Sequence, residues 1–146
     1  MKIEVQLYEK VKERKVIIVT DVVDEEIQAL MSRISQEEPQ VLAGFDDDRA
    51  VPLEPKEIIR VYGSSGKVLA ATDRGEFTLR LRLYELEARL DRGSFVRISN
   101  SEIVNLKRVK NFDLSYTGTI RVSLTNGEST FVSRRYVSRI KNALGL

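Results

Sequence analysis

The 146-residue sequence contains no cysteine and no histidine. Without cysteine, the chain has neither a disulfide framework nor a thiolate nucleophile. Without histidine, it has no Ser-His or Cys-His pair, no imidazole metal ligand and no histidine acid–base group. Carboxylate, lysine, tyrosine or all-oxygen metal chemistry would remain for an enzyme, and none of these has a recognisable motif. The sequence therefore predicts a protein that is not an enzyme, with no cofactor, no metal and no small-molecule substrate.

Long apolar runs are also missing. No run approaches the roughly 20 residues that span a bilayer, and Met1 to Val5 lacks the continuous apolar stretch of a signal peptide. The cytoplasm is therefore the expected compartment. A hydrophobic fraction of 42% is enough for a core, and 32% charged residues of mixed sign favour a folded chain. The length fits one ordinary domain, or a domain of about 100 residues with an extension.

Charge is spread unevenly along the chain. Residues 95–146 carry nine Lys and Arg against three Asp and Glu, a net charge of +6, whereas residues 1–94 carry 15 against 19, a net charge of −4. These values agree with the net charge of +2 for the whole sequence. A basic C-terminal third on a slightly acidic body fits an anionic partner. Chance scatter of surface charge accounts for the same numbers equally well.

Residues 1–44 are predicted to form an accessory β-β-α unit. Residues 2–7 alternate between apolar and polar, and residues 16–19 form a short β-branched run, so each segment is expected to be a strand. Asp24 is expected to cap a helix, and Pro39 to end it. The apolar stripe of this helix consists of Ile27, Leu30, Met31 and Ile34. We expect the stripe to pack against the main domain or a second subunit rather than to bind a ligand.

From residue 45 to residue 146 we expect a second domain that is mainly β with a few short helices. Residues 44–49 form an acidic, turn-rich break, and the three aspartates within it fit a solvated turn better than a metal site, because neighbouring loop residues rarely converge on a metal alone. The segment at residues 51–55 is expected to be extended because it contains two prolines. Strands are predicted at residues 58–62, 68–72, 76–82, 95–98, 109–116, 119–124 and 129–132.

Helices are expected at three places in this second domain. One carries Leu83, Leu86 and Leu90 on one face and ends before Gly93. Residues 101–106 are expected to form a helical turn. The last helix is predicted to be capped by Ser133, with Val137, Ile140 and Leu144 facing inward.

The start of this last helix is the first candidate for a binding site. Arg134 and Arg135 follow Ser133, and cations in a first helical turn oppose the helix dipole by roughly 0.3–1 kcal/mol each. A nearby phosphate would reverse that sign, the helix start offers free backbone N–H groups, and arginine can grip guanine O6 and N7. The alternative is that both arginines are exposed and screened.

Other polar side chains stand at predicted loop positions. Arg97, Ser99 and Asn100 suit contacts with phosphates and base edges, although such residues suit a loop that caps the following turn even better. Asn126 precedes Gly127, a pair that primarily forms a hairpin turn, but an exposed asparagine there could reach adenine N6 and N7. Lys107 lies in a short basic run that could reach backbone phosphates, and such runs are more often solvated faces.

These segments together resemble the LytTR DNA-binding domain of bacterial transcription regulators. The resemblance rests on residues 95–106 (FVRISNSEIVNL), 124–127 (LTNG) and 132–136 (VSRRY), and it extends over about residues 50–146. It implies a fold of small stacked β-sheets, with loops that enter successive major grooves of DNA. By position, it implies that Ser99 and Asn100, Asn126, and Arg135 read DNA, with Ser133 and Arg134 beside the phosphates. Several members carry a base-contacting histidine where this chain has the shorter serine.

The resemblance implies sequence-specific binding of double-stranded DNA and regulation of transcription. The segment before residue 50 is too short for the receiver domain that many family regulators carry, so we expect a stand-alone type. Control would then come through residues 1–44, by homodimerisation or through a regulatory membrane protein. The alternative function is a module whose basic loops bind an acidic protein without DNA specificity. An RNA binder is disfavoured because the exposed aromatics that stack splayed bases are not evident.

Overall fold

The computed structural model describes residues 1–35 and 41–146. These residues fall into two compact units, one in the first 35 residues and one beginning at residue 41. None of the described helices is both long enough and apolar enough to cross a membrane. Each unit has its own packing.

The first unit contains one helix, α1 (Glu25–Ser35). The Asp24 carboxylate accepts a hydrogen bond from the Ile27 backbone N–H at 3.0 Å, which confirms the predicted N-cap. Ile27 is buried, whereas Met31 and Ile34 are about half exposed. They line an apolar groove of about 370 Å³, together with side chains from residues 16–23. The predicted end at Pro39 lies outside the described residues.

The two strands predicted in this unit are wrong. Residues 2–7 and 16–19 form no strand, and Ile3, Val5 and Leu7 are 89%, 79% and 92% exposed. A strand needs a hydrogen-bonded neighbour and a covered apolar face. Within the described part of this unit, the alternating segment has neither, so the alternation of the sequence alone does not create a sheet.

The second unit is mainly β with short helices, as predicted. Its described strands are β1 (Leu42–Asp46), β2 (Arg49–Leu53), β3 (Ile58–Ser64), β4 (Lys67–Thr72), β5 (Gly75–Leu79), β6 (Phe95–Ser99), β7 (Glu102–Asn105), β8 (Val109–Asp113), β9 (Ile120–Leu124) and β10 (Ser129–Val132). Its helices are α2 (Leu83–Arg89) and α3 (Val137–Ala143), with short 3-10 turns at Pro55–Glu57, Leu106–Arg108 and Arg134–Tyr136.

The strands form two antiparallel sheets. The larger sheet has the order β2-β1-β5-β4-β3-β7-β6, and the smaller has the order β10-β9-β8. Pro52 lies in β2, an edge strand, where a missing backbone N–H is tolerated. Gly44 in β1 allows close packing, since a Cβ there would stand 2.6 Å from Leu53 Cδ1 and 2.9 Å from Phe77 Cβ.

Two hydrophobic cores lie on opposite faces of the larger sheet. One lies beneath α2 and includes Val61, Leu86 and Ile103. The other lies between the larger sheet, the smaller sheet and α3, and includes Val104 and Ile140. The strands at the β3-β7-β6 end are therefore covered on both sides, and this burial makes that end the rigid support for the loops that follow them.

The helical turn predicted over residues 101–106 is wrong. Residues 102–105 form β7, which pairs with β6 and with β3. All four residues of β7 are buried, because Ile103 faces one core and Val104 the other. A strand that is buried on both faces lacks the alternation of apolar and polar residues by which strands are recognised. The 3-10 turn begins only at Leu106.

The last helix begins later than predicted. Arg134–Tyr136 form a 3-10 turn, α3 starts at Val137, and the Ser133 side chain makes no capping hydrogen bond. Ile140 is buried as predicted, but Leu144 is 38% exposed and does not face the core. The two arginines therefore precede the α-helix. They do not occupy its first turn, where the sequence predicts that they would oppose the helix dipole.

The other hairpins follow the sequence pattern. The β8 and β9 strands pair, and a longer loop than expected contains the predicted Gly118. The β9 and β10 strands pair across Asn126 and Gly127. The N–H of Gly127 donates to the Leu124 carbonyl at 3.1 Å, and only Gly127 of the two turn residues has positive φ, at 87°. This geometry is a three-residue hairpin loop closed by a glycine.

Candidate nucleic-acid interface

Arg97 supports the β6–β7 turn from within. Its neighbours Val96 and Ile98 face the second core, so the pleat points Arg97 toward α2. There its Nη1 donates to Glu87 Oε2 at 2.9 Å, and its Nε donates to the Ser99 carbonyl at 2.8 Å. A further bond reaches the Asn100 carbonyl. The Arg97 side chain is only 13% exposed, and its donors already serve Glu87 and the turn carbonyls.

Ser99 and Asn100 form the tip that Arg97 supports. The Ser99 hydroxyl accepts the Ser101 backbone N–H at 3.2 Å, which is the local turn contact typical of serine. Asn100 is exposed, and its Oδ1 accepts a hydrogen bond from the Tyr136 hydroxyl at 3.1 Å. The Asn100 Nδ2 has no protein partner among the described residues, so this donor is available to a ligand.

The segment from Ser133 to Tyr136 lies beside the same tip. The Ser133 N–H donates to the Ile98 carbonyl at 2.9 Å, which fixes the end of β10 against β6. Arg134 and Arg135 are exposed. The Arg134 guanidinium lies against Gly118, where an added Cβ would stand 3.2 Å from Nε. Two separate parts of the sequence, the β6–β7 turn and residues 133–136, therefore present polar side chains at one end of the β6–β7 hairpin.

Asn126 and Lys107 lie at the opposite end of β7. The Thr125 N–H donates to the Arg108 carbonyl at 2.9 Å, which joins the β9–β10 turn to the 3-10 turn that carries Lys107. Asn126 Oδ1 accepts the Glu128 N–H at 3.0 Å, leaving Nδ2 without a described partner. The four residues of β7 separate this end from the Asn100 end by about 13 Å. The predicted site residues thus form two groups rather than one.

Arg108, beside Lys107, is held by the protein. Its guanidinium binds Asp73 with both terminal nitrogens, and Nη1 also donates to the Lys56 carbonyl at 3.2 Å. The hydrogen bonds and charge of Arg108 hold the pKa of the Asp73 carboxyl below its usual range. Lys107 is exposed and has no ion pair within the described residues, so Lys107 is the freer cation of the pair.

A polar network joins the two sheets behind these loops. Arg60 donates to Glu102 at 3.1 Å and to Glu128 at 3.0 Å, and the Thr130 hydroxyl donates to Glu102 at 2.7 Å. Burial and the hydrogen bond that its hydroxyl donates to Glu76 raise the pKa of Tyr62, beneath the Arg60 guanidinium, to about 12. The two glutamates bound by Arg60 adjoin loop residues, Glu102 after the β6–β7 turn and Glu128 after Asn126, so the network fixes the base of each loop.

No group of carboxylates in the described chain could hold a metal ion. What the exposed tips offer is cationic and amide donors: the side chains of Asn100, Lys107, Asn126, Arg134 and Arg135. Donors suit phosphate oxygens and the acceptor atoms of base edges in the major groove. The arrangement fits recognition of a nucleic acid.

The model of the LytTr DNA-binding domain family matches residues 48–145. The chain belongs to the LytTR family. It is a DNA-binding transcription regulator, and its partner is double-stranded DNA.

This LytTR chain is similar both to regulators known from their sequences and to a solved structure. An uncharacterized HTH-type transcriptional regulator of Staphylococcus aureus strain MSSA476 is 31% identical, across 100% of this chain and 99% of the relative. One of strain NCTC 8325 is 32% identical across 84% of each chain. The solved LytTr DNA-binding domain of a putative methyl-accepting/DNA response regulator from Bacillus cereus superposes with a TM-score of 0.71, at 26% identity, over 75% of this chain and 100% of that chain.

Sequence reasoning missed three residues that the LytTR fold places behind the tip at Asn100. Tyr136 binds Asn100 directly, Glu87 binds Arg97, and Arg139 binds Glu87 at 3.2 Å. Nothing in their spacing connects them, because they lie on α2, the last 3-10 turn and α3. Only the packing of those elements around β6 brings them together.

Proposed function

We propose that the chain reads a specific duplex sequence through three loops that enter major grooves. The loops are the β6–β7 turn with Ser99 and Asn100, the β9–β10 turn with Asn126, and the 3-10 turn with Arg134 and Arg135. The observation that carries this proposal is the hydrogen bond from Tyr136 to Asn100, together with that from Ser133 to Ile98. These contacts hold the first and third loops as one surface, while the second lies at the far end of β7.

We propose different roles for the basic residues. Arg135 is exposed without a described partner and is the strongest candidate for a base contact, since a free guanidinium can pair with guanine. Lys107, Arg134 and the Ser133 hydroxyl are assigned to phosphates. Arg97 is assigned to positioning, because its donors are bound to Glu87 and to the turn carbonyls. Ser99 contributes a short hydroxyl group at the tip.

For the asparagines we propose donation through Nδ2. The Oδ1 of Asn100 accepts from Tyr136, and that of Asn126 accepts from a backbone N–H. Their amide nitrogens can therefore donate to acceptors such as guanine O6 or N7, thymine O4 or a phosphate without breaking a protein contact. A two-bond contact to adenine would require the amide oxygen as well, so acceptor-rich positions are preferred.

We propose that residues 1–35 of the first unit are the accessory segment and that the second unit, from residue 41 to residue 146, binds DNA, because the boundary predicted after residue 44 would divide β1. The exposed apolar side chains of the N-terminal segment, with Ile3, Val5 and Leu7 nearly fully accessible, support homodimerisation through this segment. Contact of the same segment with a regulatory membrane protein is the other proposed route of control. Regulation takes place in the cytoplasm under this proposal, and no step of it involves catalysis.

A gel shift at two salt concentrations tests DNA recognition. The probe is a DNA duplex from the region upstream of the gene that encodes the chain, and the competitor is an unrelated duplex. We expect a complex that survives the competitor at the lower salt concentration and weakens at the higher one, because phosphate contacts release counterions. If an unrelated duplex competed as well as the specific duplex, sequence-specific recognition of DNA would be contradicted. Binding to an acidic protein with no duplex preference would instead favour the interaction-module alternative.

A further inference from the structure

Glu87 stands out because an acidic residue adjoins the surface assigned to DNA. It lies on α2, with its side chain 41% exposed. Its two carboxylate oxygens bind different arginines: Oε2 accepts from Arg97 at 2.9 Å, and Oε1 accepts from Arg139 at 3.2 Å. An acid beside a phosphate-binding surface normally weakens binding through repulsion, so its presence calls for a compensating role.

Each of these two arginines leads to the Asn100 tip. Arg97 donates to the Ser99 carbonyl and to the Asn100 carbonyl. Arg139 places its guanidinium 5.1 Å from the centre of the Tyr136 ring, and the Tyr136 hydroxyl donates to Asn100 Oδ1. One carboxylate is therefore linked to the backbone of Asn100 by one path and to its side chain by the other.

The charges around Glu87 explain why a carboxylate is needed. Glu87 lines a cleft of about 360 Å³ that is also lined by Arg92, Arg97 and Arg139. Three guanidinium groups around one cleft repel each other, and Glu87 is the single acidic side chain among the residues that line it. Without its charge, Arg97 and Arg139 would be expected to separate, and the two loops that they support would move with them.

We propose that Glu87 is a positioning residue that sets the first and third DNA-contacting loops relative to each other. This inference rests on the proposed function of those loops. It assigns DNA specificity to an acidic residue that touches no DNA. Glu87 acts through Arg97 on the turn backbone and through Arg139 on Tyr136, so its loss alters recognition without removing a contact.

The sign of the effect of Glu87→Gln on DNA affinity separates this proposal from simple electrostatics. Removal of one negative charge should by itself tighten binding to any duplex. Loss of positioning should weaken binding to the specific duplex by about three- to tenfold, which corresponds to one or two hydrogen bonds, while affinity for unrelated duplex stays equal or rises. The matched control is Asp48→Asn, which removes one charge from an exposed turn that makes no described side-chain bond. The control should not lower specific affinity.

The experiment measures fluorescence anisotropy of the whole chain on both duplexes for the parent protein, Glu87→Gln and Asp48→Asn. A preserved thermal midpoint for Glu87→Gln shows that the variant is folded. Specific affinity that is unchanged or increased in Glu87→Gln, as in the control, would overturn the proposal. A fall confined to the specific duplex supports it.

A second measurement needs no DNA and therefore survives failure of the proposed function. In the unbound protein, the side-chain amide NMR signal of Asn100 reports its bond to Tyr136. Glu87→Gln should shift this signal toward that of Tyr136→Phe, whereas Asp48→Asn should leave it in place. An Asn100 signal that is unmoved in Glu87→Gln would refute the positioning role even if DNA binding is never observed.

Discussion

At the scale of single residues, side chains of the same charge perform different tasks. Arg97 and Arg108 are bound to carboxylates and backbone carbonyls, whereas Arg135 and Lys107 are exposed without a described ion pair. The sequence places all four at the ends of strands or turns and cannot separate them, because the distinction depends on which side chain meets an acid from a distant element. Of these four residues, Arg135 and Lys107 are the ones with no described acidic partner, so their charge is available to a ligand.

This difference predicts distinct outcomes for two substitutions. Arg135→Ala should cost about 1–3 kcal/mol of binding free energy on the specific duplex and relax preference at one base position, since it removes a base contact. Lys107→Ala should weaken binding to all duplexes similarly. It should also reduce the slope of log affinity against log salt concentration by about one, the contribution of one phosphate contact. Titrations of both variants at several salt concentrations provide the measurement. Unchanged affinity and site preference in Arg135→Ala would remove that residue from the reading surface.

At the scale of elements, the sequence predicts most of the second unit. The turn at Gly127 and the helix around Leu86 follow from glycine and from helical spacing, which are local signals. The β7 strand could not be recognised in this way, because burial on both faces is a property of the folded sheet. The prediction of N-terminal strands is wrong for a related reason. Ile3 and Val5 alternate with polar residues as a strand requires, but they have no described neighbouring strand to pair with.

Asn105 at the end of β7 provides a test at this scale. Its Nδ2 donates to the Ile58 carbonyl at 2.9 Å, and its Oδ1 accepts the Lys107 N–H at 3.0 Å. Asn105 is 2% exposed. Asn105→Ala should therefore lower the free energy of unfolding by about 1–3 kcal/mol, because it leaves buried polar groups unpaired. Urea denaturation measures the loss. The control is Asn111→Ala on an exposed position of β8, and an equal effect of the two would contradict this role.

At the scale of the whole molecule, the proposed DNA contacts and the proposed dimer contacts belong to different units. Both cores of the second unit are built from residues that follow position 41, from Leu42 to Ile140. The described first unit instead exposes much of its apolar surface. Binding to DNA and self-association should therefore be separable by removal of the first segment.

Deletion of residues 1–35 tests this separation. The shortened chain keeps every described strand, so it should stay folded. We expect the full chain to sediment as a dimer and the shortened chain as a monomer that binds a single half-site with little loss but loses affinity for a paired site. Dimerisation through this segment would be contradicted if the full chain remained monomeric in solution and on DNA and if the deletion left DNA binding unchanged.

The most direct test of loop-based reading is selection of bound duplexes from a randomised pool by the full chain and by Asn100→Ala, Asn126→Ala and Arg135→Ala. We expect one recurring sequence for the parent protein. Each variant should lose preference at its own base positions, with those of Asn100 and Arg135 adjacent and those of Asn126 apart, as the two ends of β7 require. Recovery of no recurring sequence, or of the same preferences from all four proteins, would contradict loop-based reading.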